Sequence, residues 1–333
     1  MEAPNGIIIF HYPFSPYARR VIRYLQLRGL AYAECMQPHI MPRPDLSALG
    51  VAYRRIPVMA IGRDIYCDTR LMLRKLEEQF PQGALGATGG EHKAIQHLLN
   101  RWVTDGGVSM RAVGLMPPSL PILQDPKFLK DRQDFLGRPL SKETIEQGRP
   151  EAIVALRDAF ELLESTLLAD GRSWVLQTEG PSLGDIEAIW PFDWILDMAG
   201  ALPPEIISAK QFPKVFDWIQ RFRESVEQAQ ASGSKAVKLD GEAAGKLICG
   251  AIFAESGGKI DAADPLGLEL GSEVEVWPLD SGSSHHDKGK LVSLTWDEVV
   301  LATKAEKWDA EVRLHFPRRG FRVARAASAS AKI

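Results

Sequence analysis

Cysteine is scarce in this chain of 333 residues. There are three, Cys35, Cys67 and Cys249, with no CxxC pair and no metal-ligand spacing. An odd, sparse set excludes a disulfide framework and favours a reducing, cytoplasmic setting. Long apolar runs are also missing. Nothing approaches the roughly 20 residues of a membrane-spanning helix. The opening MEAPNGIII has no basic segment leading into a long apolar one, so it does not read as a secretory signal. No one sign of charge dominates: the net charge is −3, which implies no bulk polyelectrolyte partner. Neither nucleic acid nor membrane is therefore an expected partner. No phosphate-cradling glycine loop, nucleophile-elbow serine or internal repeat is present. The length and the 45% hydrophobic content predict two or three domains with packed cores.

Residues 1–85 alternate strand and helix signals. A strand is predicted at 7–12, a turn at Ser15-Pro16, and a helix over 17–27. In that helix Val21, Ile22, Leu25 and Leu27 are interleaved with arginines, as for a helix lying on a sheet. A strand at 31–36 and a proline-bearing loop over 38–55 follow. Short strands are predicted at 58–61 and 65–67, then a helix opened by Asp68-Thr69. A Gly-rich connector, 82–90, leads into a helical stretch, 90–230. There HKAIQHLLNRWVTDGGVSMRAVGLM predicts one long helix with Gly106-Gly107 as a bend. A second long helix is predicted over 143–168, weakened near Pro150. Ser182 and Asp185 suit a capping box, and a last helix lies near 213–229. The segment AQASGSKAV (229–237) predicts a linker. Beyond it, over 238–326, the pattern becomes mostly period two, which predicts a small barrel or strongly bent sheet at about 265–326. The ending ASASAKI predicts a disordered tail.

The order of these elements in IIIFHYPFSPYARRVIRYL and RRIPVMAIGRDIYCDTRLMLRKL resembles the thioredoxin-like half of glutathione transferases. The resemblance covers about 6–230 and is strongest over 7–80. It implies a thioredoxin-like α/β domain at 1–85 and an all-α domain at 90–230, with the mostly β domain at 238–326 appended. An appended domain of this kind is similar to that of fungal glutathione transferase-like proteins, some linked to secondary metabolism. The resemblance also implies glutathione as co-substrate, a hydrophobic electrophilic small molecule as second substrate, and a homodimer.

A thiol with an ordinary pKa of about 8.5 is mostly protonated at pH 7. A hydroxyl beside a helix N-terminus can stabilise its thiolate. Ser15 is the leading candidate, and SPYARR is similar to the serine-type motif of plant and zeta-type transferases. Tyr12 is the main alternative, with Tyr17 and His11 weaker ones; plain helix capping by Ser15 is the simpler account. The resemblance implies that Pro57 is cis and that Ile56 pairs main chain to main chain with the cysteinyl unit. It implies that Asp68 and Thr69 hold the ammonium and carboxylate of the γ-glutamyl unit. Asp68 is one methylene shorter than the usual acid, and helix capping again suffices as a structural role. Arg54, Arg55, His39 and Arg43 are the candidate cations for the glycyl carboxylate. Trp102, Met110, Arg111 and Met116 are candidate acceptor-pocket residues, although such positions are more often core. Asp185 is assigned a structural role. Thiol addition to an electrophile and reversible addition to a conjugated double bond, an isomerisation, both use this site. A non-catalytic scaffold is the third reading.

Overall fold

A computed structural model describes residues 2–326; the tail 327–333, predicted to be disordered, lies outside the described residues. The chain opens with β1 (Ile7–His11), α1 (Pro16–Leu27), β2 (Ala33–Met36), α2 (Pro44–Ala48), β3 (Val58–Ile61), β4 (Asp64–Cys67) and α3 (Thr69–Gln79). Strand β1 lies between a parallel β2 and an antiparallel β3, and β4 pairs antiparallel outside β3. This is the predicted thioredoxin-like arrangement. Side chains alternate across a strand, yet every residue of β1 is buried. Ile7 and Ile9 enter one core, with Val21, Tyr24 and Leu25 of α1. Ile8 and Phe10 enter a second core on the opposite face. A sheet covered on both faces reads as a continuous apolar run, which IIIF is.

The helical part comprises α4 (Gly90–Thr104), α5 (Val108–Val113), α6 (Pro126–Leu136), α7 (Lys142–Leu162), α8 (Leu183–Leu196) and α9 (Pro213–Ser232). The single long helix expected from residue 92 onward is two helices. Gly107 takes φ +84°, a left-handed conformation that ends α4's direction and starts α5. Helix α7 carries Pro150 internally and finishes in one π-turn, Leu163–Leu167. Helix α8 is buried along nearly its whole length and opens with the predicted capping box. Asp185 Oδ1 there accepts from Val175 N–H and from Trp218 Nε1–H, each at 2.9 Å, so its role is to tie the helical core together.

The predicted linker, 229–237, is shortened to 233–236: helix α9 runs on to Ser232, and β5 (Val237–Leu239) then pairs parallel with β2. Helix α10 (Gly241–Gly250) follows, then β6 (Glu273–Pro278), β7 (Asp287–Leu294), β8 (Glu298–Ala305), β9 (Ala310–Pro317) and β10 (Phe321–Arg325). Strands β6 to β9 form an antiparallel meander, and β10 returns to pair with β6. This is the expected mostly β region. Its junction has no local sequence signal: β9 pairs parallel with the outer edge of β4. The result is one ten-stranded sheet in the order β10-β6-β7-β8-β9-β4-β3-β1-β2-β5. The second core is shared, with Val58 and Ile65 packed in the same cluster as Leu301, Leu314 and Phe316. At the β3–β4 turn Gly62 is required twice over. Its φ is +58°, and a Cβ would meet the Ile252 carbonyl oxygen at 2.4 Å.

Candidate functional site

Ser15 caps α1: its Oγ accepts from Ala18 N–H at 3.2 Å, with Pro16 in the first turn where its missing N–H costs nothing. The cap fixes Oγ as an acceptor and leaves its O–H free to donate. Ser15 is 2% exposed. Tyr12 is half-buried, its ring beside Phe14 at 4.8 Å and under the Arg43 guanidinium. Tyr17 faces the helical domain instead. Its ring lies on Trp190 at 4.6 Å and its hydroxyl is 3.4 Å from Ser109 Oγ. Burial pushes the Tyr17 phenol above its ordinary pKa, so it stays protonated. His11 is committed to Glu34 of β2 at 3.2 Å.

The Ile56–Pro57 peptide is cis, as the resemblance implies; Met41–Pro42 is a second cis bond that no sequence signal singled out. Ile56 precedes β3 and is 7% exposed. Asp68 caps α3 with φ +78°, an uncommon conformation for a side-chain-bearing residue and one found at ligand clamps. Its carboxylate is gripped by Arg70, with Nε to Oδ1 at 2.9 Å and Nη2 to Oδ2 at 2.8 Å. Burial opposes ionisation of Asp68, but Arg70 and then Arg55 outweigh it and hold the carboxyl at about 2.

Thr69, 5% exposed, accepts at Oγ1 from Arg20 Nη1 at 3.0 Å. Arginine cannot accept, so the Thr69 O–H is left to donate, as at Ser15. Arg20 has no exposed surface and is ion-paired with Glu187. Asn100 in turn donates to Glu187 at 2.7 Å. Sequence reading missed Arg20 because it looks like one more solvated arginine on an amphipathic helix.

The candidate cations are sorted by their partners. Arg43 is buried, with Nε on the Pro38 carbonyl at 3.0 Å and Nη1 on that of Arg54. Arg54 is buried against α6, paired with Asp131 at 2.8 Å and with Asp134. His39 lies between Phe14 and Phe128. Arg55 is bound by Asp280 and by the Ser281 carbonyl, at 3.0 and 2.7 Å. Arg55 acts electrostatically on both Asp68 and Tyr17.

Of the expected acceptor-pocket residues, Trp102 packs on Phe192 and Met116 joins the helical core. Met110 is 40% exposed and Arg111 is exposed too. Ser109 of α5 is buried, with its Oγ 3.4 Å from the Tyr17 hydroxyl.

A further charged cluster lies where β9 joins β4. Glu255, Glu298 and His315 have ligand atoms within 4.8 Å of one another, a spacing that suits a metal. Lys75 Nζ is 2.8 Å from both Glu255 and Glu298, so the chain supplies the cation itself. The arginine-rich residues 315–325, HFPRRGFRVAR, form the end of β9, a turn and β10. In the turn Arg318 pairs with Asp264, and Arg319 with Asp105.

A profile described as glutathione S-transferase, N-terminal domain, matches residues 9–84, and the chain has the fold of the glutathione S-transferase superfamily. A second profile, a domain of unknown function (DUF7962), matches residues 111–231. More particularly, a GST-like protein from Pseudomonas syringae aligns over 97% of this chain and 100% of its own. That alignment has 25% identity and a TM-score of 0.70, and its span takes in the C-terminal strands. A glutathione S-transferase from Sinorhizobium meliloti has 20% identity and a TM-score of 0.50. It covers 69% of this chain and 94% of its own. FzlA from C. crescentus also has 20% identity and a TM-score of 0.50, covering 70% and 95%. No curated protein matches the sequence.

Proposed function

We propose that the chain binds glutathione between the N-termini of α1 and α3, holds its thiol as the thiolate, and adds it to a hydrophobic electrophile. One observation supports this above the rest. Ser15 and Thr69 are hydroxyls at two helix N-termini, each already accepting a bond and each left with a proton to donate. In this reading Ser15 donates to the sulfur, and the Ile56 main chain pairs with the cysteinyl unit. Thr69 and the first turn of α3 receive the γ-glutamyl carboxylate, and Asp68 its ammonium. Calorimetric titration with glutathione, together with thiolate absorbance of the complex, tests it; absence of both would remove the reading. The same thiolate would serve a cis-trans isomerase, and the mass of the product separates addition from isomerisation. A non-catalytic binding role has its own support in the burial of Ser15 and Thr69; in that case glutathione binds without a lowered thiol pKa. Among the described residues no helix is long and apolar enough to cross a membrane. The homodimer belongs to the same proposal. It would use surfaces other than the β4 edge, which β9 covers. Light scattering checks it against the 36.9 kDa of one chain.

A further inference from the structure

The two arginines before Pro57 are neutralised to different depths. Arg54 and its partner Asp131 keep 1% and 10% side-chain exposure, and Asp131 Oδ1 also accepts from Met41 N–H at 2.9 Å. That pair is built into the junction of α6 with the 38–55 segment. Arg55 donates to the Ser281 carbonyl at 3.0 and 2.7 Å and meets Asp280, whose side chain is 72% exposed. An ion pair with one partner so open is weak and exchanges with solvent. Asp280 sits on the loop 279–286 between β6 and β7, in a Ser-Gly-Ser-Ser stretch where Gly282 takes φ +75°. Besides Arg55, the loop is held by Gly282 N–H donating to the Phe135 carbonyl of α6 at 2.7 Å and Leu279 N–H donating to the Gly320 carbonyl at 2.9 Å. At its far end His286 stacks on Trp277 and meets Glu275 at 2.8 Å.

The proposed ligand contacts are meanwhile covered: Ser15, Ile56 and Thr69 are 2%, 7% and 5% exposed. Next to Ile56, the attachment most open to solvent is the Arg55–Asp280 pair, at the start of the loop.

We infer that loop 279–286 is a lid, and that the Asp280 carboxylate occupies at Arg55 the place of a ligand carboxylate. An incoming peptide thiol opens it by exchanging its glycyl carboxylate for Asp280. One carboxylate replaces another at a single arginine, so the exchange leaves the charge at Arg55 unchanged. Arg54, fixed by α6, takes no part. This assigns the glycyl carboxylate to Arg55 among the four candidate cations. The ligand's identity rests on the glutathione reading; the latch does not.

Asp280→Asn tests both halves, and the exposure of the side chain makes it safe for folding. Without ligand, amide hydrogen exchange over 279–286 is expected to quicken relative to the parent protein. With glutathione, calorimetry is expected to show about three- to fivefold tighter binding, the scale of one partly exposed ion pair. Glutathione amidated at glycine, which has no carboxylate for Arg55, should gain less. Unchanged exchange overturns the latch, whatever glutathione does. Faster exchange with unchanged or weaker glutathione affinity, or an equal gain for the amide, overturns the carboxylate exchange. If neither protein binds glutathione, the glutathione reading falls and the carboxylate exchange with it, while the hydrogen-exchange rates still decide the latch.

Discussion

His315 Nε2 lies 2.8 Å from Asp64 Oδ1, joining strands β9 and β4 across 251 positions of sequence. The other ring nitrogen is 2.8 Å from Glu298 Oε1. With a carboxylate at each nitrogen, both carry protons and the ring is an imidazolium. Asp64 Oδ2 also accepts from the N–H groups of Ala254 and Glu255, at 2.6 and 3.0 Å. The N-terminal and C-terminal halves of the one sheet are thus fastened by a buried ionic knot as well as by backbone pairing.

The knot makes stability depend on pH. Burial alone would lower the His315 pKa, but Asp64 and Glu298 raise it above the ordinary value. Its contribution is therefore complete below about 6.5 and is lost as pH rises through the higher folded value. Urea unfolding should show declining stability above neutral pH. His315→Gln should cost about 3 kcal/mol at pH 6, the scale of breaking a buried ion pair, and should flatten that decline.

Asp287 gives a second pH dependence. Its Oδ1 accepts from the N–H groups of Ala52 and Tyr53 at 2.6 and 3.2 Å, while Oδ2 is buried without a partner. Burial pushes its carboxyl up to about 7 against those two donors. The unfolded value is about 3.9, so stability from this group is full below that and is lost as pH rises to about 7. Asp287→Asn keeps the acceptor and cannot ionise. It should unfold at higher urea than the parent protein at pH 8, with the gap closing by pH 4.

At Ser15 the prediction concerns the bound thiol. Ser15→Ala removes the proposed donor together with the α1 cap. The pKa of bound glutathione should rise by about one unit for each 1.4 kcal/mol of lost thiolate stabilisation. Ultraviolet titration measures it. A shift in Tyr12→Phe and none in Ser15→Ala would move the role to Tyr12.

Much of the N-terminal domain is legible because its signals are local. Ser15-Pro16, Asp68-Thr69 and Ser182–Asp185 are caps, and caps are written within four residues. The IIIF run and the period-two strands after residue 270 also report their own burial. What is not legible is pairing across the chain. No pattern in β9 says that its neighbour is β4, or that β5 will sit beside β2. Side-chain partners follow the same rule. Arg20, Arg54 and Arg55 look alike in sequence, yet one supports Thr69, one is bound to α6, and one meets an exposed aspartate. On α5 the same rule holds: Met110 and Arg111 are exposed while Val108, Ser109 and Ala112 are buried, a split that tertiary packing decides.

Asp68 poses the last question, because its carboxylate has two duties. It already accepts from Arg70 through both oxygens, and the proposed reading gives it the ligand's ammonium as well. A carboxylate has about four lone-pair positions, so the two are compatible. Asp68→Asn keeps the shape and tolerates the positive φ, where Ala would add backbone strain. It should weaken glutathione binding by about 1.5–3 kcal/mol, the scale of a hydrogen bond to a charged group. Glutaryl-cysteinylglycine, which is glutathione without the amino group, provides the control. If Asp68 holds the ammonium, the variant loses affinity for glutathione and keeps that for the analogue. Calorimetry showing equal losses for both would mean that Asp68 acts only through Arg70 and the start of α3.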